Sequence, residues 1–264
     1  MKVALIGYGK MGHLLETRLQ DQGHRIVAVV DPLNTGKSSS SGAPAYASLG
    51  EALSEKDPKN SLKNADAAIE YTGPDSAVKN LLFLIREKIP VVTGTTGWYD
   101  RLPEIVQAVN AAGTSLVWSS NFSLGVNLFY RIAAYAAKLV DPFKEYDVAG
   151  LETHHNNKAD SPSGTAKTLV ERVLAQMTRK KKAVYTMLEK KPEADEIHYA
   201  SLRLGSVPGI HSLFFDSPAD TIEITHTARS REGFAAGTVV AAEWLTAKKR
   251  MGVFTVDDVL GDLL

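Results

Sequence analysis

The sequence predicts an α/β protein that opens on a doubly wound parallel sheet. Three observations carry this. Short apolar runs alternate with helical patterns from the N-terminus onward, as in parallel strands joined by helices. The first run ends on a glycine turn with G-x-G-x-x-G spacing, Gly7, Gly9 and Gly12. The second run ends in an acid, Asp31, at about the distance (~20 residues) that a dinucleotide-binding turn requires.

Taken in order, Val3 to Gly7 suits a buried parallel strand. His13 to Gly23 reads as an amphipathic helix, with Leu14, Leu15 and Leu19 on one side and Gly23 at its C-terminal end. Arg25 to Asp31 is a second buried strand. Each part of this unit has a physical reason. Gly7 permits the tight turn, Gly9 lets the backbone approach a pyrophosphate, and Gly12 lets the helix pack closely on the strand. The segment Gly7-Tyr8-Gly9-Lys10-Met11-Gly12 then aims the free N–H groups of a helix start at the phosphates. Asp31 would accept hydrogen bonds from the adenosine ribose. An ordinary βαβ unit with glycines in its turn is the plainer alternative, and the complete strand–turn–helix–strand–acid context favours the dinucleotide. A carboxylate at 31 suits a free 2′-hydroxyl and repels a 2′-phosphate, and Pro32 supplies no cation beside it. That tilts the cofactor toward NADH, while Lys10 and Lys37 are phosphate partners that NADPH could use.

Asn34 to Asn64 is polar and turn-rich, with Ser38 to Gly42 inside it. It is expected to hold a flexible loop and a helix near Leu49 to Ser54, and no chemistry. Ala67 to Tyr71 and Pro90 to Thr93 are strands, and the helix between them is expected to start near Asp75 or Ser76 as its cap. Ligands of such sheets lie beyond the carboxyl ends of the strands. This singles out Thr72, Gly73, Gly94, Thr95 and Thr96. Ser115 to Trp118 is a further strand, and the polar turn Ser119 to Ser123 leads into a long apolar helix. A domain crossover there would put a nicotinamide ring near the turn.

Bulk properties narrow the classes of function. The 264 residues suffice for one large domain or two modest ones. Formal net charge is zero, so bulk electrostatics favours neither a nucleic-acid nor a membrane-surface partner. The absence of cysteine excludes disulfides, thiolate metal sites and a thiol nucleophile. The chain opens directly on a strand-like run, without a basic-then-apolar leader or an apolar run of membrane-spanning length, and a cytoplasmic protein is the simplest expectation.

The segment Glu152 to Ala166, ETHHNNKADSPSGTA, is the densest cluster of reactive groups. The chain is strand-like up to about Glu152 and polar beyond it. After Pro162, the residues Ala166, Leu169, Val170, Val173, Leu174 and Met177 recur at helical spacing. A helix is therefore expected to start near Ser163, with Pro162 in its first turn and Asp160, Ser161 or Ser163 as cap. The N–H groups of Ser163, Gly164 and Thr165 would be unpaired and form a seat for a carboxylate or phosphate. His154, His155 and Lys158 stand just upstream. Histidine can give a proton near neutrality and lysine can neutralise a carboxylate. H-H-x-x-K lacks a third good ligand, so no metal is expected. A solvated loop is the bland alternative; the anion seat beside it favours function.

At this point the residues resemble a known family. The run Glu152 to Ala166 closely resembles the signature of the dihydrodipicolinate reductases. GYGKMG, TGTTG, SSNFSLGVN, RLGSVPGIHSLFF and ITHTARSREGFAAG look like that family, in its order. The resemblance covers most of the chain and is weakest over Pro32 to Asn64. It implies a Rossmann domain followed by an α/β domain with a mixed open sheet that also builds a homotetramer. Residues 1–122 and 241–264 would form the first domain and 123–240 the second. It implies NADH- or NADPH-dependent reduction of a cyclic dicarboxylate, dihydrodipicolinate, in the diaminopimelate route to lysine. His154 would match the general acid, Lys158 a second proton donor and carboxylate partner, and His155, Ser163, Gly164 and Thr165 substrate contacts. Gly7 to Gly12 and Asp31 would hold the pyrophosphate and ribose. Gly94, Thr95, Thr96, Ser119, Ser120, Asn121 and Phe122 would hold the nicotinamide side, and Thr72 is a further cofactor contact expected from its place at a strand end. Family members that use NADPH well often carry an arginine where this chain has Pro32. Arg203, His211, His226 and Arg231 are as well explained by ion pairs and sheet-edge charge. The competing readings are a two-domain dehydrogenase of amino acids or semialdehydes, which would not need the histidine pair, and a nucleotide-sensing protein without turnover.

Overall fold

The structure, a computed structural model, describes residues 1–264, which divide into two compact units. The first takes Met1–Leu124 and Arg231–Leu264, the second Gly125–Ser230.

The first unit is built on a parallel sheet of seven strands: β1 (Lys2–Ile6), β2 (Arg25–Val30), β3 (Ala45–Tyr46), β4 (Ala67–Glu70), β5 (Val91–Thr93), β6 (Ser115–Trp118) and β12 (Gly252–Thr255). Their order is β3-β2-β1-β4-β5-β6-β12, so the winding direction reverses between β1 and β4. The apolar runs are continuous because both faces are covered. Val3 and Leu5 point into a core shared with α1 (Lys10–Asp21) and α7 (Glu232–Ala247). Ala4 and Ile6 point into the opposite core, against α3 (Pro74–Arg86) and α4 (Leu102–Ala112). β3 was not foreseen in the sequence, and α2 falls at Leu49–Ser54 as expected. α3 starts on Pro74 with Gly73 as its cap residue, so neither Asp75 nor Ser76 caps it. Proline needs no N–H at that position.

The unit boundary falls at 230/231, against the expected 240/241. All of α7 belongs to the sheet it covers: Ala235, Val239, Ala242 and Leu245 sit in one core with Val92 and Val117. Gly237 allows this closeness, since a Cβ there would stand 1.8 Å from the Phe122 carbonyl oxygen.

The second unit has a mixed sheet in the order β11-β10-β7-β9-β8: β7 (Asp147–His154), β8 (Lys182–Val184), β9 (Glu196–Arg203), β10 (Ile210–Asp216) and β11 (Thr221–Thr227). β7, β8 and β9 run parallel, and β10 is antiparallel to both its neighbours. Two helices, α5 (Leu124–Val140) and α6 (Gly164–Leu174), cover one face, where Phe129, Tyr130, Leu169 and Val173 meet Val148, Tyr199, Leu213 and Phe215. Gly150 admits the Tyr199 ring, which a Cβ would approach to 2.3 Å. No helix of the chain is long and apolar enough to cross a membrane.

Candidate functional site

In the first unit the glycine turn has the geometry its spacing implies. Gly7 has φ +91°, and a Cβ on it would stand 2.0 Å from the Tyr71 carbonyl oxygen. A Cβ on Gly12 would stand 2.6 Å from the Gly7 carbonyl oxygen, so the helix can lie on the turn only without one. Around Gly9 there is open space. Gly9 precedes α1 with no side-chain cap, so the first N–H groups, on Lys10, Met11 and Gly12, stay available to an anion.

Two cavities flank this turn. One of about 1050 Å³ is lined by Gly7, Tyr8, Gly9, Asp31, Leu33 and Thr72, among others. The other, of about 420 Å³, is lined by Gly9, Lys10, Met11, Tyr71, Thr72, Pro74, Gly94, Thr95 and Thr96. The strand-end residues expected to touch a cofactor thus border one hollow at the carboxyl edge of the sheet. Gly9, with open space around it, borders both hollows.

Several residues do more, or something other, than expected. Both oxygens of Asp31 accept backbone N–H groups, Oδ2 from Tyr8 at 2.7 Å and Oδ1 from Leu33 at 2.9 Å. The acid therefore fastens the glycine turn as well as facing the cavity. The Tyr8 side chain turns into the core, where its hydroxyl meets Glu16, so only its backbone faces the turn. Phe122 is likewise a core residue, 1% exposed, and its ring cannot face a cofactor. Gly94 makes room for the Tyr71 ring, which a Cβ would approach to 2.2 Å, and Tyr71 is held by Thr238 at 2.7 Å. Thr95 accepts the Thr72 N–H at 2.9 Å. The fully buried Glu70 contacts the Thr72 hydroxyl and accepts the Thr93 hydroxyl at 2.5 Å, so a buried acid orders these strand ends. Ser119 and Asn121 close their own turn, and Ser120 is exposed.

Part of Asn34 to Asn64, which contains Ser38 to Gly42, was expected to be a flexible loop. Instead, the carboxylate of Glu16, 1% exposed on α1, accepts Ser40 Oγ at 2.6 Å and the Ser41 N–H at 2.8 Å. Burial alone would raise its pKa, but hydrogen bonds from Ser39, Ser40, Tyr8 and Ser41 outweigh burial and hold it down to about 2.

In the second unit the strand β7 runs on to His154, two residues beyond the expected end. Strand alternation puts Glu152 and His154 on the helix-covered face. The register sets His211 and Ser201 opposite Glu152, and Arg203 opposite His154. Glu152 is fully buried and His154 is 7% exposed. Glu152 Oε1 accepts Ser201 Oγ at 2.8 Å and the Ser163 N–H at 3.0 Å, while Oε2 stands 3.4 Å from His154 Nδ1. The His211 ring meets His154 edge-on with centroids 5.2 Å apart, and its Nδ1 is 3.1 Å from the Tyr199 hydroxyl.

The helix start differs from expectation in two ways. α6 begins at Gly164 with Ser163 as cap, its Oγ taking the Ala166 N–H at 3.1 Å, and Pro162 stands outside the helix. The Ser163 N–H is not free, because Glu152 takes it. The open donors are therefore those of Gly164 and Thr165, and nothing lies near Gly164 that a ligand would displace. Lys158 pairs with Asp160 at 2.7 Å. Arg203 donates to the carbonyls of Lys158 and Asp160 and so pins that loop to β9. His155 is half-buried just past the strand.

Burial pushes the His154 imidazole below its ordinary pKa; Glu152 opposes this, and Lys158 and Arg203 reinforce it. His211 is pushed down to about 4, first by burial. Burial also works to raise Glu152, but hydrogen bonds from Ser163 and Ser201 prevail and keep it an ionised carboxylate. Glu152, Ser201, Arg203 and His211 were outside the expected site. The Glu-x-His spacing on a strand was a usable signal for the first of them; the others are cross-strand neighbours that no local pattern reveals.

A parallel sheet with an open glycine turn, in a chain that also carries a buried histidine near the uncapped N–H groups of Gly164 and Thr165, points to the class of nicotinamide-dependent oxidoreductases. Comparison with known proteins narrows the class. The family model described as dihydrodipicolinate reductase, N-terminus, matches residues 1–122, and its C-terminus counterpart matches residues 125–260. The chain belongs to the dihydrodipicolinate reductase family. It is 38% identical to the 4-hydroxy-tetrahydrodipicolinate reductase of Christiangramia forsetii, over 100% of this chain and 99% of the relative. It is 36% identical to that of Archaeoglobus fulgidus, over 98% and 100%. The dipicolinate-bound dihydrodipicolinate reductase of Paenisporosarcina sp. TG-14 shares the fold with a TM-score of 0.76 at 20% identity, covering 97% of each chain.

Proposed function

We propose that this protein reduces dihydrodipicolinate, formed from 4-hydroxy-tetrahydrodipicolinate, to tetrahydrodipicolinate in the diaminopimelate route to lysine, at the expense of NADH or NADPH. The observation that carries this reading is the joining of a buried proton donor to an anion seat: Glu152 touches both His154 Nδ1 and the N–H that starts α6. A family signature alone would not need that link.

A reduced nicotinamide dinucleotide, with its pyrophosphate over the Gly7 to Gly12 turn, would supply the hydride. The donors of Lys10, Met11 and Gly12 would hold the pyrophosphate, and Asp31 the ribose. Thr72, Gly94, Thr95 and Thr96, with the backbone of Ser119 to Phe122, border the nicotinamide end. In the second unit the N–H groups of Gly164 and Thr165 would take one substrate carboxylate together with the Lys158 ammonium, His155 adding a contact, while Ser163, engaged by Glu152 and the Ala166 N–H, sets the helix start. One proton balances the hydride: His154 gives it, with Lys158 the alternative donor. A bound dianionic substrate favours protonated His154, opposing the effect of burial. General-acid help of this kind is worth roughly 10² to 10⁴ in rate.

NADH is the favoured cofactor. Asp31 would meet NADPH's 2′-phosphate with a carboxylate, and Pro32 and Leu33 directly after it bear no cation; Lys79, Arg86 and Arg101 line the same hollow. A homotetramer built on the second sheet is part of the proposal. The face that α5 and α6 leave uncovered carries Leu151, Leu202 and Phe214, and Leu202 is 47% exposed. The test of function is loss of reduced-nicotinamide absorbance with substrate generated in place from pyruvate and aspartate semialdehyde. Turnover with NADH, and weaker turnover with NADPH, is expected; none with either sinks the reading. Light scattering on the eluting protein tests the tetramer.

A further inference from the structure

The buried pair Glu152 and His154 presents an anomaly. Glu152 Oε2 and His154 Nδ1 are both buried and neither has a hydrogen-bond partner, yet they face each other at 3.4 Å. Buried polar atoms are rarely left unpaired, because each costs on the order of 1 to 3 kcal/mol. The other Glu152 oxygen is fully engaged, by Ser163, Ser201 and Arg203. Its carboxylate is thus held in place with one oxygen aimed at the imidazole.

We infer that Glu152 is the positioning residue of the proton donor: it holds His154 as the Nδ1–H tautomer, turns Nε2 toward the substrate, and supports the charge when Nε2 is protonated. This rests on the proposed reductase reading of His154. Nε2 faces Gly209, where a Cβ would stand 3.1 Å away, so a glycine keeps that side of the ring clear. The neutral, edge-on His211 ring walls the imidazole and limits its rotation. A separation of 3.4 Å is long for a hydrogen bond, and contacts of catalytic groups commonly tighten once substrate is bound. The same carboxylate fixes the Ser163 N–H, so the proton donor and the anion seat share one anchor and keep their spacing.

The rival explanation for the pair is a divalent cation. Glu152, His154 and His211 each offer an atom, all within 4.8 Å of one another. Arg203 contacts the same carboxylate, and both it and Lys158 already disfavour positive charge on His154, so the surroundings favour a proton over a dication.

The test is nitrogen NMR of histidine-labelled protein, with and without substrate analogue, beside kinetics of Glu152→Gln. The amide keeps the shape and can still accept from Ser163, but removes the charge facing Nδ1. Wild-type His154 is expected as the Nδ1–H tautomer. In the variant that tautomer is lost, kcat falls roughly 10- to 100-fold with KM changed much less, and the alkaline limb of the pH–rate profile moves to lower pH. A wild-type His154 carrying its proton on Nε2, or a variant whose pH profile is unmoved, overturns the inference. So does a His154 signal that chelator changes and zinc chloride restores. The wild-type tautomer can be read even if the variant fails to fold. It can also be read if the protein turns over no dihydrodipicolinate, which separates the two failures.

Discussion

Asp31 Oδ2 accepts the Tyr8 N–H at 2.7 Å, so the acid that would meet the ribose also closes the glycine turn from the next strand. Asp31→Ser should therefore do two things. It should lower stability by about 1 to 3 kcal/mol, the worth of hydrogen bonds to a charged group, read from denaturant midpoints. It should also raise KM for NADH while leaving KM for NADPH unchanged or lower. An unaltered ratio of kcat/KM for the two cofactors would remove Asp31 from cofactor choice.

The glycines of the turn should separate by experiment. Gly7→Ala places a methyl group 2.0 Å from a backbone oxygen at a positive φ, and should destabilise the protein by at least about 1 to 3 kcal/mol. Gly9→Ala meets nothing within 4 Å, and should leave the melting temperature nearly unchanged while weakening cofactor binding measured by calorimetry. Equal effects at both positions would contradict a phosphate seat over Gly9.

His154→Gln should lower kcat by roughly 10² to 10⁴ and leave NADH binding intact. Lys158→Ala should act chiefly on KM for the substrate if, as proposed, its ammonium holds a substrate carboxylate. Calorimetry and steady-state kinetics on the same preparations check both.

Stability should fall on acidification through the buried histidines. His154, His211 and His226 all have lowered pKa values in the fold, with burial the first cause, and His211 is pushed down to about 4. Between the unfolded value and the folded one, the unfolded chain binds more protons, so stability rises with pH across that window. For His211 the contribution is fully present above about 6.5 and lost as pH falls to about 4, on the order of 3 kcal/mol. His211→Asn should flatten that part of a pH series of denaturant midpoints.

Glu16→Gln should loosen the serine loop. The carboxylate holds Ser40 and Ser41 from α1, and an amide cannot accept from all the donors now directed at it. Faster amide exchange over residues 38 to 42, without global unfolding, is the expected outcome.

How far the sequence reaches is clear from particular residues. Val3 to Asp31 was legible because each step, strand, turn, helix, strand and acid, is local, and every glycine has one geometric reason. Leu49 to Ser54 and the helix after Ser163 were legible from period and cap. Pro162 was expected in the first turn but lies two residues before α6, because the cap residue, and not the proline, decides where a helix starts. Tyr8 and Phe122 were read as cofactor contacts from their place in a motif, but their side chains fill the core, and a motif does not say which way a side chain turns.

The sequence by itself determined the Rossmann unit, its glycine turn and the family signature, and it put His154, Lys158, Gly164 and Thr165 forward as site residues. All of these follow from neighbours a few residues apart. Only the tertiary structure decided that Glu152 faces His154 and takes the Ser163 N–H, that His211, Ser201 and Arg203 surround them, and that Glu16 holds the serine loop. Those contacts join residues far apart along the chain through strand register and helix packing, and register is set by the burial of whole strands, which no short stretch of sequence contains.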